Sequence, residues 1–202
     1  MITQIHPTGL CPGAMKRALI TGITGQDGSY LAEFLLERGY EVLGFVRRDS
    51  WFQANNVRHL ADRIRVFFGD MSEGLDIQSA LQASMPDEIY NLASQARPGE
   101  SWARAAETMT VNGLAAVRVF EAVRQVCPAA RVYQASSSEM FGRPQQIPQN
   151  EQTPFDPANP YAASKVYAHD MARIYRQGYG LFIACGIAFN HESERRPLHY
   201  VT

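Results

Sequence analysis

Tyr161 and Lys165, in the run Tyr161-Ala-Ala-Ser-Lys165, are a pair that can move a proton near neutral pH. An ammonium beside a phenol favours the phenolate and lowers its pKa, which makes Tyr161 a candidate general base. Four residues is one helical turn, so both side chains share a face. Asn159 and Pro160, just upstream, suit an N-cap and a first helical residue. Ser136-Ser137-Ser138-Glu139 ends an apolar run, Arg131 to Ser136. Ligands of open α/β sheets bind outside the carboxyl ends of strands, so these hydroxyls and this carboxylate are expected to face a ligand. Helix capping by Ser and Glu is the competing reading.

Near the start, Gly22, Gly25 and Gly28 sit in Thr21-Gly-Ile-Thr24-Gly-Gln26-Asp27-Gly-Ser29. Glycines let the backbone turn tightly and approach a pyrophosphate, and the following helix aims free N–H groups at the phosphate charge. The motif counts only between a strand and a helix, and that is its context here. Arg17 to Thr21 is apolar and runs into it, and Leu31, Phe34 and Leu35 follow at helical spacing until Gly39. A Tyr-x-x-x-Lys spacing arises often by chance. Downstream of a dinucleotide turn and a serine-rich strand end it marks a redox site.

The elements that must position these residues alternate. Strands are expected at Glu41 to Val46, Ile64 to Phe68, Glu88 to Ala93, Arg131 to Ser136 and Leu181 to Phe189. Helices are expected at Ser29 to Arg38, Ser101 to Val126 with a break near Asn112-Gly113, and Pro160 to Gln177. This predicts an α/β fold, a Rossmann-like doubly wound parallel sheet with helices on both faces. Phe141 to Asn159, rich in Pro, Gln and Asn and without periodicity, reads as a functional loop. Asn112 is expected to satisfy backbone groups within its helix, and Trp102 to pack.

The end of the second strand reads the adenosine ribose in such folds: an acidic residue favours NAD, and arginine suits the 2′-phosphate of NADP. Arg47-Arg48-Asp49 stands there. Guanidiniums fork onto phosphate oxygens, so NADP is favoured, with Asp49 the rival and a solvated basic face the plain alternative. Asp70, after the third strand, is placed to contact the adenine or to cap the next helix.

Composition bounds the rest. The 202 residues carry 19 Lys+Arg and 20 Asp+Glu, a net charge of −1, with 46% apolar and 19% charged residues. That is an ordinary globular balance, and it offers no electrostatic footprint for a nucleic-acid or membrane partner. Three scattered cysteines (Cys11, Cys127, Cys185) support neither a disulfide framework nor a zinc site, and no metal is expected. Met1 to Ala14 lacks the basic start and apolar stretch of a secretion signal, which makes the cytoplasm the simplest compartment.

Four segments resemble the GDP-mannose 4,6-dehydratase family, within the extended short-chain dehydrogenases/reductases: Gly22 to Leu31, Tyr133 to Gly142, Tyr161 with Ser164-Lys165, and Phe189 to Ser193. The likeness runs from about Lys16 to Thr202. It implies redox-neutral chemistry with tightly held NADP on a nucleotide sugar, GDP-mannose. Tyr161 would deprotonate the 4-hydroxyl as hydride leaves carbon 4. Glu139 would remove the acidified proton on carbon 5 and help water leave from carbon 6, to which the hydride returns. Ser137 stands where the family has threonine and would bond the 4-oxygen, and Lys165 would also hold the nicotinamide ribose. By the same resemblance Gly22, Thr24, Gly25, Gln26, Asp27, Gly28, Arg47, Asp70, Met71, Leu92, Ala93, Ser94, His191 and Arg196 contact the cofactor, and Asn190 the substrate diphosphate. A solvated loop histidine is the plain reading of His191. The family forms homo-oligomers, dimers or tetramers, and an epimerase or reductase on the same scaffold is the alternative activity.

Ala96, Arg97 and Pro98 replace the family's Ser-His-Val, and Glu194 to Pro197 replaces Pro-Arg-Arg-Gly, which leaves the sugar open, a heptose included. The expected division is a flexible leader at 1–15, an NAD(P)-binding Rossmann domain at 16–190, and the start of a smaller substrate domain, largely missing, at 191–202. Family chains are usually longer, so a fragment is expected. A non-catalytic cofactor-binding module is the reading from another class.

Overall fold

Residues 15–196 are described by a computed structural model. The leader over residues 1–14 and residues 197–202, most of the expected start of a substrate domain, lie outside the described residues. In chain order the elements are β1 (Arg17–Thr21), α1 (Gln26–Glu37), β2 (Glu41–Val46), the short α2 (Arg48–Phe52), β3 (Arg65–Phe68), α3 (Gly74–Ser84), β4 (Glu88–Asn91), α4 (Ala105–Thr108), α5 (Ala115–Val126), β5 (Arg131–Ser137), α6 (Pro160–Tyr179) and β6 (Ile183–Ala188). The six strands form one parallel sheet in the order β3-β2-β1-β4-β5-β6. Strand order reverses between β1 and β4, which opens a crevice at their carboxyl ends where such sheets bind ligands.

Alternation along the strands builds a core on each face. Leu19, Leu43, Phe45, Ile89, Val132 and Ile183 point to one face and pack with Ile77 and Leu81 of α3, Val119 and Phe120 of α5, and Ala168 and Ala172 of α6. Ala18, Ile20, Val42 and Val46 point to the other, under Ala32 and Leu35 of α1. Helices thus lie on both faces, as the alternation of elements predicts. On the α1 side the cover extends over β1 to β3. Over β4 to β6, Tyr90, Tyr133, Arg131 and Phe182 instead line a shallow depression.

The differences from the sequence reading have local causes. α3 was not expected, although Ile77, Ala80, Leu81 and Ser84 bury one face at helical spacing. The long helix expected from Ser101 is a 3-10 turn (Pro98–Trp102), then α4, a π-helical stretch (Met109–Leu114) and α5. The expected break at Asn112-Gly113 is therefore a wide turn rather than a stop. A Cβ on Gly113 would lie 2.6 Å from Met109 Sδ and 3.0 Å from Tyr167 Cδ1, so its absence lets α6 approach. Trp102 does not pack; it is 68% exposed. The 141–159 loop folds back on the Ser138–Phe141 turn. Asp156 N–H donates to Met140 O at 3.1 Å, and Phe155 packs on Phe141 and edge-on to His169.

Candidate active site

The glycine turn is held by backbone contact. Gly22 has φ +71°, and a Cβ there would lie 2.8 Å from Ala93 N. On Gly28 it would lie 2.4 Å from Gly22 O. These two glycines let the β1–α1 turn close against itself and against β4. Gly25 serves as the N-cap of α1 without a side-chain cap, so the amides of the first turn face outward. Such an N-terminus favours an anion. Gln26 Oε1 is buried without a partner among the described residues, which suits a donor on a bound ligand.

Beside this turn a cavity of about 290 Å³ is lined by Gly22, Thr24, Arg47, Asp70, Met71, Ala93 and Ser94, seven of the expected cofactor residues. Ser50, Gln95, Arg104 and Glu107, none of them expected, also line it. The three residues at the end of β2 separate. Arg47 faces the cavity, while Arg48 stacks on Phe68 at 4.4 Å and Asp49 lies in the first turn of α2, outside the lining. Asp70 Oδ1 accepts from the Ser72 backbone at 2.8 Å and from its hydroxyl at 2.7 Å. These bonds, with help from Arg47, hold its carboxyl below the usual range. Leu92 lies outside the cavity; its N–H donates to Thr21, and its side chain packs with the α1-side core.

The segment after β6 crosses the start of α1. His191 Nε2 lies 2.8 Å from Asp27 Oδ1, which raises the imidazole pKa above its ordinary value. Gln26 and Arg196 both donate to His191 O. Two residues absent from the sequence reading complete the strap. Arg195 pairs with Glu33, donates to Ser29 Oγ and lies over the Tyr30 ring, and Asn56 donates to Thr24 O and Arg195 O. Asn190 is exposed at the head of the strap.

At the ends of β5 and α6 the expected proton-transfer residues converge. Tyr161 and Lys165 are 8% and 4% exposed, and Lys165 Nζ sits 5.6 Å from the Tyr161 ring centroid. Lys165 donates to Ala135 O at 3.1 Å, and burial pushes its pKa down to about 8. Ser137 Oγ accepts from Glu139 N at 3.2 Å, so the capping reading of this hydroxyl holds as well, while its O–H stays able to donate. Glu139 is half-buried, and its Oε2 accepts from Asn159 Nδ2 at 3.0 Å. Asn159 Oδ1 in turn accepts from Ala162 N at 2.8 Å, capping the helix that carries Tyr161. Ser136 departs from expectation: its hydroxyl meets His169 Nδ1 of α6 at 2.9 Å. Asn112 does too, bonding not its own helix but the Ser94 hydroxyl and both backbone groups of Gln95. The wide π turn aims it there.

A carboxylate, a hydroxyl and a phenol–lysine pair next to a dinucleotide-type turn can combine hydride transfer with proton removal from carbon. The family model "GDP-mannose 4,6 dehydratase" matches residues 19–202. The chain is 44% identical to the human GDP-mannose 4,6 dehydratase over 195 residues, 92% of this chain and 52% of the relative. To the Arabidopsis thaliana GDP-mannose 4,6 dehydratase 1 it is 46% identical over 199 residues, 93% of this chain and 55% of the relative. It spans about half the length of the curated relatives it matches. Among solved structures it resembles DesIV of Streptomyces venezuelae, a dTDP-glucose 4,6-dehydratase with NAD and TYD bound, with a TM-score of 0.80, 25% identity, and 89% of this chain against 57% of that one. It also resembles the UDP-glucose 4-epimerase of Thermus thermophilus in complex with NAD, with a TM-score of 0.74, 28% identity, and 84% against 53%. The chain belongs to the GDP-mannose 4,6-dehydratase family.

Proposed function

We propose that this chain is the cofactor-binding half, residues 16–190, of an NADP-dependent nucleotide-sugar 4,6-dehydratase. It acts on GDP-mannose and yields the 4-keto-6-deoxy sugar. The observation that carries the reading is the placement of Glu139: its carboxylate is bonded to the N-cap of the helix bearing Tyr161, with Ser137 two residues away. A reductase needs only the phenol, the lysine and a hydroxyl. Elimination of water needs a further acid/base, and Glu139 supplies it. NADP, held by the turn and the cavity lined by Arg47 and Asp70, would supply reversible hydride transfer between carbon 4 and carbon 6. Tyr161 takes the 4-hydroxyl proton, Ser137 bonds the 4-oxygen, Lys165 keeps the phenol acidic, Glu139 takes the carbon-5 proton and delivers it to the departing water, and the proton held by Tyr161 returns to carbon 5 as carbon 6 is reduced. The first-turn amides of α1 and the His191 strap hold the pyrophosphate side, Gln26 Oε1 is left to accept from a donor of the cofactor, and Asn190 lies toward the substrate diphosphate. Arg47 facing the cavity supports NADP over NAD, since Asp49 is turned away from it.

Incubation of the full-length protein with GDP-mannose in deuterated water tests the reading. Deuterium at carbon 5 of a 4-keto-6-deoxy product is the expected result. Intact carbon 5 with inversion at carbon 4 would favour the 4-epimerase reading, which the Thermus neighbour supports; cofactor binding with no turnover of any nucleotide sugar would favour a binding module. A homo-oligomer in the cytoplasm fits the family, and light scattering on the purified protein tests the assembly.

A further inference from the structure

We propose that Asn159 is the positioning residue for Glu139, so that one side-chain amide couples the elimination carboxylate to the helix that carries the phenol. The inference rests on Glu139 as the acid/base of the proposed reaction.

As a helix cap, Asn159 needs only an acceptor, and Asp, Ser or Thr would serve as well. Its Oδ1 does that work, accepting from Ala162 N at 2.8 Å. The other end of the amide is what distinguishes asparagine from the alternatives: Nδ2 donates to Glu139 Oε2 at 3.0 Å. Ser and Thr can also accept and donate, but from a single oxygen; of the side chains that cap well, only Asn carries its donor on a separate atom, so Oδ1 can cap the helix while Nδ2 reaches the carboxylate. Glu139 is then held at two points. Its backbone N–H is bonded to Ser137 Oγ at the end of β5, and its carboxylate is bonded to the first turn of α6. One carboxylate oxygen is occupied, which leaves the other to meet the substrate. The strand end and the helix that bring the two proton-transfer groups together are joined through this amide, so their separation is fixed before substrate arrives.

The test compares Asn159→Ser, which keeps a capping oxygen and removes the Nδ2 amide that reaches Glu139, with the wild-type full chain. The expected result is a thermal midpoint and a substrate-driven cofactor reduction close to wild type, with solvent exchange at carbon 5 slowed roughly 10- to 100-fold. Asn159→Asp, which caps but turns a second carboxylate on Glu139, is expected to be at least as slow. A readout independent of turnover is the 1H–15N signal of the Asn159 side-chain amide, assigned by its disappearance in Asn159→Ser, which is expected to move in Glu139→Gln. Carbon-5 exchange unchanged in Asn159→Ser, or falling in step with stability and hydride transfer, would overturn the proposal and leave a plain cap. An amide signal indifferent to Glu139→Gln would also overturn it. If wild type itself exchanges nothing at carbon 5 while the amide signal still responds to Glu139, the dehydratase reading fails and the elimination role of Asn159 fails with it; the contact alone survives.

Discussion

Replacing Lys165 by Met is expected to stabilise the fold while abolishing activity, and the stabilisation is expected to depend on pH. The ammonium is buried, with Ala135 O as its bonded acceptor, and burial lowers its pKa from 10.5 to about 8. At pH 7 the folded state keeps a proton that it holds less tightly than the unfolded chain does, a cost of about 3 kcal/mol at 1.36 kcal/mol per unit. Methionine fills a similar volume without that charge. Nor does it orphan the carbonyl, because Ala135 O also accepts from Gln134 Nε2 at 3.2 Å. The sign follows from proton binding. Between about pH 8 and 10.5 the unfolded chain binds the proton and the folded chain does not, so wild-type stability gains on the variant as pH rises, and the gap closes above 10.5. Urea unfolding at pH 7 and 9.5 reads this directly, and the variant's advantage is expected to shrink by about 2 kcal/mol between them. The same titration removes the positive charge that the proposed mechanism places beside the Tyr161 phenol, so wild-type turnover is expected to fall as pH passes about 8. An equal stability difference at both pH values, or a variant less stable than wild type, would show that the buried ammonium is fully compensated and would refute the reasoning.

Gly22→Ala forces a side chain into φ +71° and within 2.8 Å of Ala93 N; a loss of roughly 2 kcal/mol or more is expected in denaturant unfolding, together with loss of NADP binding. Arg47→Ala is expected to weaken NADP roughly 10- to 100-fold by calorimetric titration and to change NAD affinity little, since only the 2′-phosphate would lose a charged partner. The His191–Asp27 pair contributes fully below the ordinary imidazole pKa of 6.5 and is lost as pH rises through the raised folded value. Stability in urea unfolding is therefore expected to decline across that window in wild type, and the decline is expected to flatten in Asp27→Asn.

Strands, the glycine turn and the Tyr161/Lys165 helix were legible because each rests on a local signal. Apolar runs end at glycine, Asn159-Pro160 caps, and β1 and β2 fall on their expected residues. The helix α3 carried its signal too, in Ile77, Ala80, Leu81 and Ser84, but Glu73 at its N-cap makes no side-chain cap that would announce it. What stayed hidden depends on partners distant in sequence. Arg47 and Arg48 are adjacent and chemically alike, and only the position of Phe68 sends one to a ring and the other to the cavity. Ser136 and Ser137 alternate across a strand, so one hydroxyl reaches His169 and the next faces Glu139. Asn112 reads as an ordinary helical polar residue until the π turn aims it at Gln95, and Arg195 gains its role from Ser29, Tyr30 and Glu33 far back along the chain.

The two halves of the site are joined inside the sheet as well as along its edge. Thr21 Oγ1 accepts from Leu92 N and Ala93 N and donates to Asn91 Oδ1 at 2.7 Å. Asn91 Nδ2 donates to Gln134 Oε1 at 2.7 Å, Gln134 Nε2 donates to Ala135 O, and Lys165 donates to the same carbonyl. This row runs from the strand that opens the glycine turn, through β4 and β5, to the buried lysine. Thr21, Asn91 and Gln134 are all buried, so a break in the row leaves polar atoms without water to replace the lost partner, at about 1–3 kcal/mol for each. Hydrophobic side chains at the same positions would fill the space but would fix neither the rotation of Ala135 O nor the approach of Ala93 to Gly22. A polar row in the middle of the sheet is thus a positioning device. It sets the lysine and the glycine turn at a constant separation, which the proposed cofactor, meeting both at once, would require.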